Sequence, residues 1–267
     1  MVSASAHDGA RGGPATELAF AKLTISLRIT GVRADGYHLV DAEMVTLDLA
    51  DSVELGPGDA LDIVDETSGR GQRSVIGAGT DNLVRKALTA VGRSASVRLV
   101  KRIPAGAGLG GGSADAAAVL RWAGRGSRGA EDLALAVGLG ADVPFCVHGG
   151  RARVGGIGEL VEPLVCRPGD PYTLLTPPVA VSTAGAYRAW DALGGPTADG
   201  PNDLEPAALL VEPQLVRWRD QLGDATGLTP VLAGSGSTWW VPGAFPGVAG
   251  TIVARTVCPL RGDRAVE

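Results

Sequence analysis

PAGAGLGGGSADAAA, residues 104–118, sets five glycines within seven positions directly against the start of an alanine-rich helix. Gly106, Gly108, Gly110, Gly111 and Gly112 lack a Cβ, so their backbone can enter the left-handed region and bring its N–H groups close to an anion. Ser113 is expected to open the helix, whose unpaired first-turn N–H groups and positive dipole end face the same anion. Upstream, SVRLVKRI at 96–103 reads as a strand with Val97, Leu99 and Ile103 on one side. Downstream, Ala116, Ala117, Val119, Leu120 and Ala123 form a helical stripe of mostly small residues, which lets the helix pack closely. Strand, glycine loop and helix in that order make a phosphate cradle.

Two other readings compete with it. A plain turn between strand and helix needs one or two glycines, and each further one costs conformational entropy on ordering. A dinucleotide fingerprint is matched nominally by Gly106, Gly108 and Gly111, with Glu131 at about the 20-residue offset of the ribose-binding acid. That acid should end a second strand, whereas Glu131 and Asp132 open EDLALAVG, which reads as helix, and Pro104 interrupts the passage from strand to loop. A Walker A loop is excluded, because no Gly-Lys pair occurs in the chain.

The 267 residues are enough for one large domain or two smaller ones, and 45% hydrophobic with 20% charged residues is a globular composition. A net charge of −5 leaves no electrostatic footprint for nucleic acid or an anionic membrane, so local donors must hold an anionic ligand. Cys146, Cys166 and Cys258 are too few and scattered for a disulfide framework or a thiolate metal site, and His7, His38 and His148 form no ligand cluster. A reducing cytoplasm is the expected compartment. No apolar run is long enough to span a bilayer, and the first 17 residues, small and polar, are expected to be a disordered tail.

Leu23, Ile25, Leu27 and Ile29 alternate with polar residues, so 18–30 is expected to be a strand with one buried face and with Lys22 and Thr24 together on the other. An Asp35-Gly36 turn follows, and Val45, Leu47 and Leu49 mark an antiparallel partner. Thr80 or Asp81 is expected to cap a helix running to about Gly92. GADVPFCV at 140–147 reads as a short extended segment, Pro144 biasing Val143 away from helix. RPGDP at 167–171 is the expected domain boundary. Beyond it come a strand at 172–176, helices near 183–192, 203–211 and 213–222, and a strand, glycine turn and strand through VLAGSGSTWWV. The class is α+β.

These segments together resemble the kinase superfamily named after galactokinase, homoserine, mevalonate and phosphomevalonate kinases, the GHMP kinases. AKL at 21–23, the glycine loop and AGSGS at 233–237 match its three motifs in order. RADGYH at 33–38, GADVPF at 140–145, GIGE at 156–159 and PNDLEPAAL at 201–209 resemble the branch that phosphorylates a cytidyl diphosphate of methylerythritol. The resemblance spans residues 19 to 240 and implies two domains, 18–166 of ribosomal-protein-S5-domain-2-like fold and 167–267 of ferredoxin-like fold. It also implies phosphoryl transfer from ATP to a substrate 2-hydroxyl, a step in the non-mevalonate route to isoprenoids. It further implies a magnesium requirement, a small-molecule substrate and a monomeric or homodimeric state, with no nucleic acid or membrane partner expected.

By the same resemblance, Asp142 is the general base and Lys22 the active-site lysine, a division that suits phosphoryl transfer, which needs in-line positioning and charge neutralisation. ATP falls to Pro104, Ala105, Gly106, Ala107, Gly108, Leu109, Gly110, Gly111, Gly112, Ser113 and Ala114, with Asn82 and Lys101 matching nucleotide contacts of relatives; Ser113 is also the expected magnesium ligand. Substrate falls to Thr24, Tyr37, His38, Tyr187, Gly234, Ser235 and Gly236, with Tyr37 and Tyr187 on the two faces of cytosine and the imidazole on its edge. The chain departs from the family pattern at Phe20, Thr24 and Ala114, where proline, asparagine and a second serine are usual.

Overall fold

The computed structural model describes residues 14–67, 77–125 and 129–258. The first half runs β1 Ala15–Val32, β2 His38–Gly56, β3 Leu61–Asp65, α1 Leu83–Ala90, β4 Ser96–Lys101, α2 Gly111–Trp122, α3 Gly129–Leu139, α4 Val143–His148, β5 Arg151–Gly156 and β6 Leu160–Pro163. The second half runs β7 Pro171–Leu175, α5 Thr183–Ala192, α6 Glu205–Val211, α7 Leu215–Thr226, β8 Val231–Leu232, β9 Trp239–Pro242 and β10 Thr251–Arg255. The expected tail falls mostly outside the described residues, and its last three positions, 15–17, already belong to β1.

β1 and β2 make a long antiparallel ribbon. β4 and β5 share the other edge of β2, at 52–56 and 40–45, while β3 joins β4 in parallel and β6 closes the far edge. The second sheet is antiparallel in the order β10-β7-β9-β8. Strand alternation assigns its two faces: Leu175, Trp239 and Val241 pack with α5, α6 and α7 through Ala186, Ala208, Leu215 and Leu222. Leu174, Trp240 and Ala254 pack instead against Ala21, Leu23, Val45 and Leu47 of the β1–β2 ribbon. The two sheets are therefore cemented by one shared apolar layer, while α1, α2 and α4 cover the other face of the first sheet.

β1 is not the simple alternating strand its sequence suggests. Its pairing with β2 shifts between Phe20 and Lys22, where β2 carries the extra residues, and between Thr24 and Ser26 and between Ile29 and Gly31, where β1 carries one each; such irregularities re-aim the side chains around them. Ala19 and Leu27 accordingly face the helix side, while Leu23 between them faces the second sheet. Lys22 and Thr24 do share a face, as expected, and the bulges turn that face toward the helices.

Three local expectations are corrected. Asn82, not Thr80 or Asp81, caps α1, its Oδ1 accepting from Val84 N at 2.9 Å. GADVPFCV is helical from Val143, because Pro144 falls in the first turn, where its missing N–H has no partner to lose. Cys166 and Cys258 are joined in a disulfide with Cα atoms 5.9 Å apart, tying the segment before β7 to the end of β10. Oxidising surroundings keep such a bridge and reducing ones open it. The third cysteine, Cys146, is buried on α4, and burial pushes its thiol up, so it behaves as a small apolar residue.

Candidate active site

A cleft of about 1680 Å³ runs between the glycine loop, the β1–β2 turn, α5 and the 233–237 loop. A pocket for one small ligand is roughly 300–1,000 Å³, so this one has room for two. Lys22, Thr24, Tyr37, His38, Asn82, Lys101, Asp142, Tyr187, Gly234, Ser235 and residues 104–113 all line it. Two expected contacts do not. Ala114 is turned into the core of the first sheet, and Gly236 faces Leu232 and Val181 behind the loop.

The glycine loop is shaped by close approaches that leave no room for a Cβ. Gly108, with φ +77°, would place one 2.4 Å from Ala233 O and 2.7 Å from Gly236 O. Gly110, with φ +69°, would place one 2.7 Å from Lys22 Cγ. The loop is thus wedged between the AGSGS segment and the stem of Lys22, and Leu109 O accepts from Lys22 N at 3.0 Å. Gly110 in the left-handed conformation, not Ser113, occupies the cap position of α2; Ser113 lies in the first turn, half-buried. The free N–H groups of that turn and the helix dipole make the cleft end of α2 attractive to phosphate.

Lys22 is buried, and its Nζ donates to Thr24 Oγ1 at 3.1 Å and lies 3.3 Å from Asp142 Oδ2. Asp142 stands at the cap of α4 yet makes no capping hydrogen bond with its side chain. Its carboxylate is left for Lys22 and the cleft. Gly234 completes this cluster, since a Cβ there would lie 3.5 Å from Lys22 Nζ and 3.6 Å from Thr24 Oγ1.

Lys101 is placed differently from its expected role. It lines the cleft but is buried between two carboxylates, Asp51 and Asp115, the latter at 2.6 Å. Burial alone would lower the ammonium, and the two carboxylates outweigh it. Burial pushes Asp115 up to about 7, against the pull of Lys101, and its Oδ1 has no hydrogen-bond partner among the described residues. Asp51 also accepts from the backbone N–H groups of Arg102 and Ile103, at 2.5 and 2.8 Å, so the cluster braces the strand entering the glycine loop.

At the other end of the cleft, Tyr37 projects from the β1–β2 turn, 60% exposed. His38 is not free. Its Nε2 lies 2.8 Å from Asp191 Oδ1, and its ring packs on Tyr187 with centroids 4.6 Å apart and edge-on to Trp190 at 5.6 Å. Tyr187 is pushed up to about 12, by burial and then by Asp142, and so stays a neutral phenol. The sequence reading misses Asp191, which sits one helical turn beyond Tyr187, and the Asp51–Lys101–Asp115 cluster, in which Lys101 lies 50 and 14 residues from its two carboxylates. Within PNDLEPAAL, neither Asn202 nor Asp203 carries a role legible from sequence.

No three His, Cys, Asp or Glu side chains among the described residues gather as a metal cage. Ser113, which lines the cleft in the first turn of α2, offers a hard oxygen, which suits a magnesium ion held largely through phosphates.

Residues 82–150 match the family of GHMP kinases N terminal domain. The chain is 36% identical to 4-diphosphocytidyl-2-C-methyl-D-erythritol kinase of Ruegeria pomeroyi, over 90% of this chain and 92% of that one. The enzyme of the same name from Pelotomaculum thermopropionicum is 37% identical over 84% and 87%. A crystal structure of 4-(cytidine 5'-diphospho)-2C-methyl-D-erythritol kinase superposes with a TM-score of 0.66 at 30% identity, over 90% of this chain and 98% of that one. Homoserine kinase from Cytophaga hutchinsonii, at 18% identity and a TM-score of 0.52, shares the fold.

Proposed function

Since the chain belongs to the 4-diphosphocytidyl-2-C-methyl-D-erythritol kinase family, we propose that it transfers the γ-phosphoryl group of ATP to the 2-hydroxyl of that cytidyl diphosphate. The chain is a small-molecule kinase of isoprenoid biosynthesis, and it uses ATP. The observation that carries the residue assignments is the single cleft. It joins a glycine-rich anion cradle, a lysine–carboxylate pair and an aromatic cluster in one continuous space.

In this reading the glycine loop and the N-terminus of α2 hold the phosphates through backbone N–H groups. Asp142 accepts the proton of the attacking hydroxyl, and Lys22 stabilises the charge that builds on the transferring group. Thr24 and Gly234 seat the hydroxyl beside both. Ser113 would hold magnesium, which would neutralise phosphate charge when bound. Tyr37 and Tyr187 hold the base, with the imidazole of His38 fixed by Asp191. The boundary at residues 166–167 between an ATP-binding and a C-terminal domain belongs to the same reading. So does a cytoplasmic location, in which Cys166 and Cys258 would be free thiols; no helix among the described residues is long and apolar enough to cross a membrane.

A kinase assay over a panel of small alcohols tests the reading. The cytidyl diphosphate should be phosphorylated, while homoserine, mevalonate and methylerythritol phosphate lacking cytidine should not be. The aromatic end of the cleft favours the cytidyl substrate over a bare alcohol, and the intact Lys22–Asp142 pair favours catalysis over a silent nucleotide-binding role.

A further inference from the structure

The loop at 233–237 is held from two sides. On one side it is locked to the phosphate cradle: Thr238 N donates to Ala107 O at 3.1 Å, and Gly108 lies against the carbonyls of Ala233 and Gly236. On the other side stands Asn202, 1% exposed, whose Nδ2 donates to Leu232 O at 2.9 Å and to Gly234 O at 2.7 Å. Its Oδ1 accepts from Leu204 N at 2.9 Å. Both amide hydrogens are used, and the acceptor too.

The backbone around Asn202 is itself anchored to β1. Leu27 N donates to Pro201 O at 2.8 Å and Asp203 N donates to Leu27 O at 2.9 Å, so residue 202 lies in a parallel bridge with Leu27. Asp203, also 1% exposed, accepts from Ile29 N at 2.9 Å and pairs with Arg28 at 2.6 Å. The anchor point is only three residues beyond Thr24 on the same strand. Asn202 therefore bridges the strand that carries Lys22 and Thr24 and the loop that carries Gly234, from behind the cleft.

We infer that Asn202 is a positioning residue: through Leu232 O and Gly234 O it fixes the 233–237 loop against Lys22 and Thr24, and so sets the seat of the acceptor alcohol without touching it. The inference rests on the reading that the acceptor hydroxyl lies beside Lys22, Thr24 and Gly234. In-line transfer tolerates little displacement of the hydroxyl, so a loop released by a fraction of an ångström loses rate. The glycine loop keeps its hydrogen bond from Lys22 N to Leu109 O, and the bond from Thr238 N to Ala107 O does not pass through Asn202, so ATP binding is spared.

The test compares Asn202→Ala, Asn202→Asp and the milder Asn202→Ser, which keeps one donor, with Thr173→Val as a control. Thr173 is buried in β7, where its hydroxyl bonds Gly243 O at 2.8 Å and Phe245 N at 3.0 Å. Each variant is assayed for kcat, for KM of acceptor and of ATP, for ATP hydrolysis without acceptor, and for melting temperature. Losing donors to two buried carbonyls should lower kcat/KM for the acceptor by roughly 10- to 100-fold in Asn202→Ala and Asn202→Asp, less in Asn202→Ser, with KM for ATP unchanged. Thr173→Val should lower the melting temperature and leave the kinetics alone. Wild-type acceptor kinetics in Asn202→Ser together with either other variant, an equal kinetic loss in Thr173→Val, or a defect confined to ATP would each overturn the inference. The split is read on whichever alcohol of the panel the wild-type chain phosphorylates, so failure of the cytidyl substrate in wild type sinks the substrate assignment alone.

Discussion

Lys22 Nζ stands 3.3 Å from Asp142 Oδ2, and the two side chains reach that contact from elements of opposite kind. Lys22 is aimed by a strand bulge and Asp142 by the cap position of a helix that leaves its carboxylate uncommitted. Neither aim is available to a plain strand or a plain cap. Asp142→Asn keeps the shape and removes the base, so kcat should fall by about 10²- to 10⁴-fold, the usual contribution of a positioned base, while the dissociation constant for ATP holds. Steady-state kinetics and ATP titration of the folded variant check it; a kcat like wild type would remove Asp142 from the chemistry.

The three left-handed glycines of the cradle differ in what a methyl group would meet, which ranks their substitutions. At Gly108 a Cβ meets backbone oxygens of another loop at 2.4 and 2.7 Å, at Gly110 it meets the flexible stem of Lys22 at 2.7 Å, and at Gly106 only Ala180 Cβ at 3.6 Å. Backbone cannot yield as a side chain can. Gly108→Ala should therefore cost most in ATP affinity and melting temperature, Gly110→Ala should cost turnover through Lys22, and Gly106→Ala should show backbone strain alone, about 1 kcal/mol. Equal losses at all three would mean that the close approach of the two loops plays no part in binding.

The glycine cradle was legible because its signal is local, with φ of +77° at Gly108 and +69° at Gly110 meeting residues that pay no steric penalty there. The same holds for the strand at Lys22, the turn at Tyr37 and the helix at Tyr187. What the chain hid is non-local. The irregular β1–β2 ribbon divides Leu23 and Leu27 between two cores, and no alternation pattern announces which core each will join. Lys101 matches a nucleotide contact of relatives, and nothing near it in the chain shows that Asp51, 50 residues away, will engage its ammonium. For His38 the sequence suggests only a base edge as partner, and nothing local shows that α5 will bring Asp191 to its Nε2 from 153 residues away. Pro144 misled for a different reason, since the rule against helix applies to the residue before proline in a helix interior and not in a first turn.

Asp115 gives a prediction about stability and pH. Burial, the largest cause, pushes its carboxyl up to about 7 in the folded chain, against an ordinary 3.8. Between those values the folded chain holds a proton that the unfolded chain has lost, so this group's contribution is full below 3.8 and is lost as pH rises through 7. Lys101 is held above its ordinary range and stays cationic throughout. Asp115→Asn removes the titration. Melting temperatures of variant and wild type should therefore diverge in the variant's favour between pH 5.5 and pH 8. A difference that stays constant across that range would show that Asp115 is ionised at both ends of it.

Base recognition gives the prediction on which the substrate assignment stands or falls. Tyr37 offers an open ring at the mouth of the cleft, and Tyr187 already lies against His38 at 4.6 Å. Removing either ring should cost about 1–3 kcal/mol of cytidyl-substrate binding, the range for a base stacked on an aromatic, and leave ATP affinity alone. The two rings should not behave alike. Tyr37→Ala strips an exposed platform and leaves the fold intact, whereas Tyr187→Ala also frees the imidazole from its packing. His38→Ala should weaken the cytidyl substrate as well, because a base edge left unpaired in a closed site loses more than the net worth of one hydrogen bond. Asp191→Ala should reproduce part of that loss in wild type and add nothing in His38→Ala, since its carboxylate acts on the base only through Nε2 at 2.8 Å. Competition by cytidine monophosphate against the cytidyl substrate reads the base end without the chemistry. If Tyr37→Ala raises the KM for ATP and leaves both the cytidyl KM and inhibition by cytidine monophosphate untouched, the aromatic end binds adenine instead. The acceptor pocket would then lie elsewhere along the cleft.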